Sequence, residues 1–255
     1  AGAPPEILTE AHPHIGTFRL VTMVESLRRS IEALGGEYRF QQRVSDLLID
    51  TGADGQRQVR GVRLESGEEL LSDQVVLAVG HSARDTFAML HERGVRIDAK
   101  PFSLGVRIEH PQSLIDRARF GTSAGHPDLG AADYKLSHAC SNGRTAYSFC
   151  MCPGGTVVAA ASEPGRLVTN GMSQYSRNER NANAGIVVDI TPERDYPGHP
   201  LAGIALQRQW EEAAFHTGGG DYFAPAQRVG DFLAGRPSTT LGAVIPSYRP
   251  GVRPT

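Results

Sequence analysis

Two cysteines one residue apart, followed by a proline and two glycines, form the most chemically suggestive stretch of the chain: Ser148-Phe-Cys150-Met-Cys152-Pro153-Gly154-Gly155. Such a pair suits thiol redox work or a soft metal, and it equally suits plain packing as small residues before a turn. Zinc is disfavoured. The C-x-C has no second cysteine pair at the usual spacing, and no histidine pair stands three to five residues apart nearby. Strand alternation puts Cys150 and Cys152 on one face, where they can act together. His81, His110, His126 and His138 are candidate general acids or bases, because imidazole titrates near neutrality. His81 leads them by its place beside a glycine turn, and Arg84 and Asp85 follow it on a helix where a phosphate or ribose could be met. Asp133 and Lys135 share a strand face beside Tyr134, a spacing that a salt bridge explains. Asn170-Gly-Met-Ser173 and Asn178 to Asn183 read as polar loops.

The elements that must position these groups centre on Gln74 to Thr86. Val75, Val76, Leu77, Ala78 and Val79 form an unbroken apolar run ending at Gly80, the pattern of a strand buried on both faces before a tight turn. A helix follows, with Ser82 as cap, Asp85 in its first turn, Ala83, Phe87 and Leu90 on one face, and Gly94 at its end. Strand, glycine turn and helix N-terminus together aim free backbone N–H groups at whatever lies beyond the strand. Upstream, Thr17 to Leu34 predicts an amphipathic helix. Leu20, Val24, Leu27, Ile31 and Leu34 recur at three- and four-residue spacing, Thr17 caps it and Gly35-Gly36 closes it. Its apolar stripe needs a sheet to cover. Tyr38 to Phe40, Val44 to Ile49, Val59 to Leu64 and Leu70 to Val79 supply the strand patterns, separated by turns at 52–55 and 66–68. Beyond Gly94, strands are expected at 102–109, 134–138, 145–149, 157–161, 167–170 and 186–190. Helices are expected near 114–119 and 201–216, and one more short element at 229–233 before a polar tail.

Composition is that of a globular protein, 40% hydrophobic and 21% charged over 255 residues. The near balance of 26 basic and 28 acidic residues, with no block of like charge, leaves no electrostatic footprint for nucleic acid or an anionic membrane. Three cysteines argue for reduced thiols rather than a secreted disulfide framework, and a cytoplasmic location is expected. The chain starts Ala-Gly-Ala-Pro-Pro and stops at Tyr248-Arg-Pro-Gly-Val-Arg-Pro-Thr255. Neither end reads as a natural boundary, so an excised piece of a longer protein is expected.

Several long stretches resemble one family: 13–17, 77–86, Gly105-Val-Arg-Ile-Glu-His110, 130–135, 148–155, 168–173 and 224–250. They are similar to the uncharacterised FAD-dependent dehydrogenases, bacterial flavoproteins distantly similar to the two-domain glutathione-reductase type. The resemblance implies an α/β fold. The C-terminal portion of a Rossmann-like FAD/NAD(P)-binding domain would occupy 1–100, and a mostly β, α+β substrate domain 101–255. It also implies FAD as cofactor, NAD(P)H as a possible donor, and a small-molecule substrate. Ala78, Val79, Gly80 and His81 would pass beside the dinucleotide, the backbone of Val44 would meet the adenine edge, and Pro153, Gly154 and Gly155 would approach the flavin. Cys150, Cys152 and His81 are the catalytic candidates. Two departures from the family stand out: the G-x-G-x-x-G phosphate loop and the glycine-rich Gly-Glu-Gly segment that closes over the flavin are both missing. Without the first, the pyrophosphate loses its main anchor, so the piece alone is expected to be inactive. A non-catalytic flavin-fold module and a thiol oxidoreductase working through Cys150 and Cys152 are the competing expectations.

Overall fold

The computed structural model describes residues 3, 5–9 and 14–255. Pro13 of the first family-like stretch lies outside them. After a 3-10 turn at Pro5–Leu8, helix α1 (Thr17–Ala33) runs to a glycine stop, with the Gly36 N–H donating to Ile31 O at 2.9 Å. Gly16, not Thr17, is the residue before the helix, and the Thr17 hydroxyl donates instead to Ser173 O at 3.4 Å. No residue of α1 is buried. Its stripe is uncovered: Leu20, Val24, Leu27 and Ile31 are all exposed.

Strands β1 (Val44–Thr51), β2 (Arg57–Leu64) and β3 (Glu69–Leu71) form an antiparallel meander in sequence order. Among the described residues β1 pairs only with β2, so its other edge carries no strand there. The meander's inner face buries Leu47 and Leu64, and α2 (Arg84–Glu92) packs against β1 with Leu90 buried. The expected long strand at 70–79 is a correction. Pairing stops at Leu71, residues 74–80 are irregular, and Val76 is 89% exposed. An apolar run becomes a central strand only when neighbours satisfy its backbone on both sides, and none does so among the described residues. The α2 helix likewise starts one residue later than expected, with Ala83 before it and no side-chain cap from Ser82.

The second half is β-rich. β4 (Phe102–Pro111), β5 (Ser137–Ala139), β6 (Thr145–Cys152) and β9 (Asn181–Ile190) make a four-stranded antiparallel sheet in the order β4-β9-β6-β5. β7 (Gly155–Ala159) and β8 (Thr169–Ser173) form a two-stranded sheet beside it. Helix α3 (Gln112–Phe120) follows β4, a short α4 (Pro192–Asp195) follows β9, and α5 (Ala202–Thr217) carries Gly203 against Phe102 and Tyr196. α6 is Val229–Leu233. The expected polar tail instead returns as β11 (Val252–Pro254), parallel to β10 (Ala224–Ala226), a pairing too short to leave a pattern. Val157, Leu167, Ala224 and Tyr248 form a buried cluster tying this return to β7 and α5. The whole is a mixed α/β protein of several small antiparallel sheets. No helix among the described residues is long and apolar enough to cross a membrane.

Candidate functional site

The turn at Gly80 is open. Gly80 adopts φ +71°, a conformation that costs any residue with a Cβ, yet nothing lies within 4 Å of where that Cβ would be. Ala78, Val79, Gly80 and His81 are all exposed. Arg84 and Asp85 do not face this opening. The Asp85 carboxylate receives Arg43 Nη2 at 2.5 Å, and the 7% exposed Arg84 turns inward to Glu211, Glu163 and Gln207. Val44 opens β1 opposite Leu64 on the strand with the unpaired edge.

The two cysteines part company. Phe149 pairs with Gly185 and Cys152 with Asn183, so Cys150 and Met151 stand against one residue of β9. A bulge of this kind resets alternation. Cys150 takes φ +47° and is exposed, whereas Cys152 is buried with its thiol donating to Cys150 O at 3.4 Å. The expectation of a shared face is therefore corrected. Burial first, then the neighbouring Cys150, pushes the Cys152 thiol up to about 11, so it stays protonated and weakly nucleophilic at neutral pH. Iodoacetamide at pH 8 should modify Cys150 in the native protein and reach Cys152 only after denaturation, as read by peptide mass spectrometry. Equal native labelling of both would contradict the bulged arrangement.

The Pro153-Gly154-Gly155 loop is buried and internally tied. Gly154 N–H donates to Gln112 Oε1 at 2.7 Å, Ser173 Oγ donates to Pro153 O at 2.8 Å, and Glu179 N–H donates to Gly154 O at 3.2 Å. A Cβ on Gly154 would overlap the Arg177 carbonyl and stand 2.9 Å from Asn178 N. The backbone that approaches these glycines is the chain's own.

The remaining candidates scatter. His110 Nε2 lies 3.0 Å from the Tyr134 hydroxyl; burial lowers the imidazole's pKa and raises the phenol's. His81, His126 and His138 are exposed on separate elements. Asp133 and Lys135 form no ion pair with each other among the described residues, and neither lies in a strand. Asn170 to Ser173 is strand β8 rather than a loop, and of Asn178 to Asn183 the first three residues are loop while Asn181 and Asn183 are buried in β9. Two features escaped the sequence reading. One is the buried Arg84 cluster. The other is the half-buried Arg107, held by Asn183 Oδ1 at 2.7 Å and Asn170 Oδ1 at 3.3 Å. The signal for the second was present only as pattern, since Arg107 and Glu109 fall together on the face of β4 opposite Phe102, Leu104, Val106 and Ile108.

Fold and site thus define a mixed α/β protein with a β-rich C-terminal half and an open glycine turn. Residues 101–255 match the family described as "FAD-dependent protein, C-terminal domain-like", and the chain belongs to that family. It is also 48% identical over 256 residues to an uncharacterised protein of Clostridium beijerinckii, a match covering 98% of this chain and 46% of the relative. The chain spans about half the length of the curated relative it matches.

Proposed function

We propose that this chain forms the C-terminal portion of a Rossmann-like FAD domain and the adjoining β-rich substrate domain of a longer FAD-dependent oxidoreductase. The observation that carries the reading is surface. A globular monomer of 27.4 kDa exposes about 11,000 Å² by the usual size scaling, whereas this chain exposes 16713 Å². Part of the excess is the stripe of α1 and the run 75–79, the two elements that a nucleotide-binding sheet would cover and pair. In this reading residues 75–79 become a central strand when parallel neighbours flank them.

Of the residues assigned to FAD by resemblance, Ala78 to His81 and Val44 fit: among the described residues nothing lies within 4 Å of a Cβ built on Gly80, and no strand pairs with the outer edge of β1. Pro153, Gly154 and Gly155 do not fit, because their backbone groups are already committed. When bound, the isoalloxazine would supply the redox chemistry and accept or give a hydride. The chain's own part is to offer Gly80 as a side-chain-free approach and His81 as the adjacent titratable group. A thiol route through Cys150 and Cys152 is disfavoured by their opposite exposures and the protonated Cys152.

The test compares the 255 residues with the full-length protein. The full-length form should retain a visible flavin spectrum through desalting, and NADH, NADPH or a substrate should bleach it; the 255 residues alone should come through colourless. Flavin that no donor reduces would favour a non-catalytic platform. A full-length protein without flavin would end the reading.

A further inference from the structure

Arg107 is an unneutralised cation inside a polar cluster. Its partners are two amide oxygens, Asn183 Oδ1 at 2.7 Å and Asn170 Oδ1 at 3.3 Å, and no carboxylate pairs with it among the described residues. Glu109, on the same face of β4, is occupied by Asn181 Nδ2 at 2.7 Å and the Ser247 N–H at 3.0 Å. The spare hydrogen-bonding capacity here is all of one kind. Arg107 Nε and Asn183 Nδ2 are both shut from solvent with no partner, and Asn183 is 0% exposed. Both are donors. Gly171 faces them without a side chain: a Cβ there would stand 2.5 Å from Arg107 Nη1 and 2.8 Å from Cys152 Sγ.

The guanidinium has two forks. Nη1 is fixed by Asn183, while the side-on fork of Nε and Nη2 has one empty donor and one long bond to an exposed asparagine. A carboxylate matches that fork in geometry and charge. A cation would be repelled, and a neutral carbonyl would leave the charge uncompensated.

We propose that Arg107, with Asn183 behind it, is a recognition site for the carboxylate of a small organic acid, and that Asn170 Oδ1 holds the place of one carboxylate oxygen until the ligand arrives. Entry is from the surface at Asn170, by swinging that side chain outward. The site is independent of the flavin assignment, because every group in it belongs to β4, β8 and β9.

The experiment titrates the intact protein with acetate at constant ionic strength, with chloride and sulfate as comparison anions. Binding is followed on the arginine Nε–Hε resonances, that of Arg107 being identified by its loss in Arg107→Lys. Acetate should shift the Arg107 signal saturably, with chloride and sulfate at least tenfold weaker. Asn183→Asp, which supplies a built-in carboxylate, should abolish the shift. Asn170→Ala, at an exposed position whose Oδ1 also accepts the Gly171 N–H at 2.8 Å, should tighten acetate several-fold by removing the placeholder, with circular dichroism confirming the fold. The proposal is overturned by no saturable shift, by equal shifts with all three anions (an adventitious ion only), or by unchanged affinity in Asn170→Ala.

Discussion

Replacing Arg84 by methionine is expected to remove about 3–5 kcal/mol of folding stability, the cost of stripping one partner from a buried ion pair. Arg84 leaves α2 and grips α5 with both nitrogens of its fork, Nη2 to Glu211 Oε1 at 2.6 Å and Nη1 to Glu211 Oε2 at 3.0 Å. Nη1 also reaches Glu163 Oε2 at 2.8 Å, and Gln207 Oε1 accepts from Nη2 at 3.1 Å. Without the guanidinium Glu211 loses its ion-pair partner in a site where its side chain is 14% exposed. Glu163 keeps Arg208 at 2.6 Å and Arg166 at 3.2 Å, so the damage falls on the α2–α5 contact. Urea denaturation followed by circular dichroism should show a lower midpoint at an unchanged slope. Arg84→Lys keeps the charge but not the fork and should recover part of the loss. A change under about 1 kcal/mol in Arg84→Met would mean that the clamp is surface-like and contributes little.

The same cluster sets an acid limit. Hydrogen bonds from Arg208, then from Arg84, hold the Glu163 carboxyl at about 2, down from 4.5, against the opposing effect of burial. A depressed folded-state pKa stabilises fully above the unfolded value and loses its contribution as protons return. Stability should therefore fall as pH drops from about 4.5 toward 2, and Glu163→Gln should flatten that limb. An unaltered acid profile in the variant would count against the linkage.

Gly154→Ala should be the second severe substitution, costing about 3 kcal/mol or more from steric overlap together with the left-handed backbone. Gly154 has φ +45°, and the added methyl would overlap the Arg177 carbonyl, which belongs to backbone and cannot rotate away. The loop on which it sits is anchored by Gln112, Ser173 and Glu179, so yielding means breaking those bonds. The experiment discriminates between two roles for the glycine pair. Packing against 177–178 predicts a large loss of stability without any cofactor, whereas a flavin-approach role predicts near-normal stability and weakened flavin retention.

Much of the architecture was legible in local pattern. The stripe of α1, the turns at 52–55 and 66–68, the alternation of β1, β2, β4 and the start of β6, and the apolar faces of α2 and α5 are encoded within windows of ten to twenty residues. Gly80 as a turn glycine was equally visible, since an apolar run stopping at glycine has few other meanings.

What local pattern could not decide was every feature set by a partner distant in the chain. The Cys150–Cys152 alternation failed because a bulge, created by pairing with β9 some thirty residues on, rotates one thiol out and the other in. The run 75–79 carries the composition of a buried strand, but burial is conferred by neighbours, not by composition. Asn181 and Asn183 looked like loop residues because asparagine prefers turns, and partners from elsewhere in the chain, Arg107 and Glu109 on the adjacent strand and the Ile245 carbonyl, make them tenable in a buried one. Sequence by itself determined α1, α2, α3, α5 and the β1–β2 hairpin, all of which rest on contacts close along the chain. Tertiary structure alone decided which polar groups are paired, because hydrogen bonds and ion pairs between remote segments leave no periodic trace.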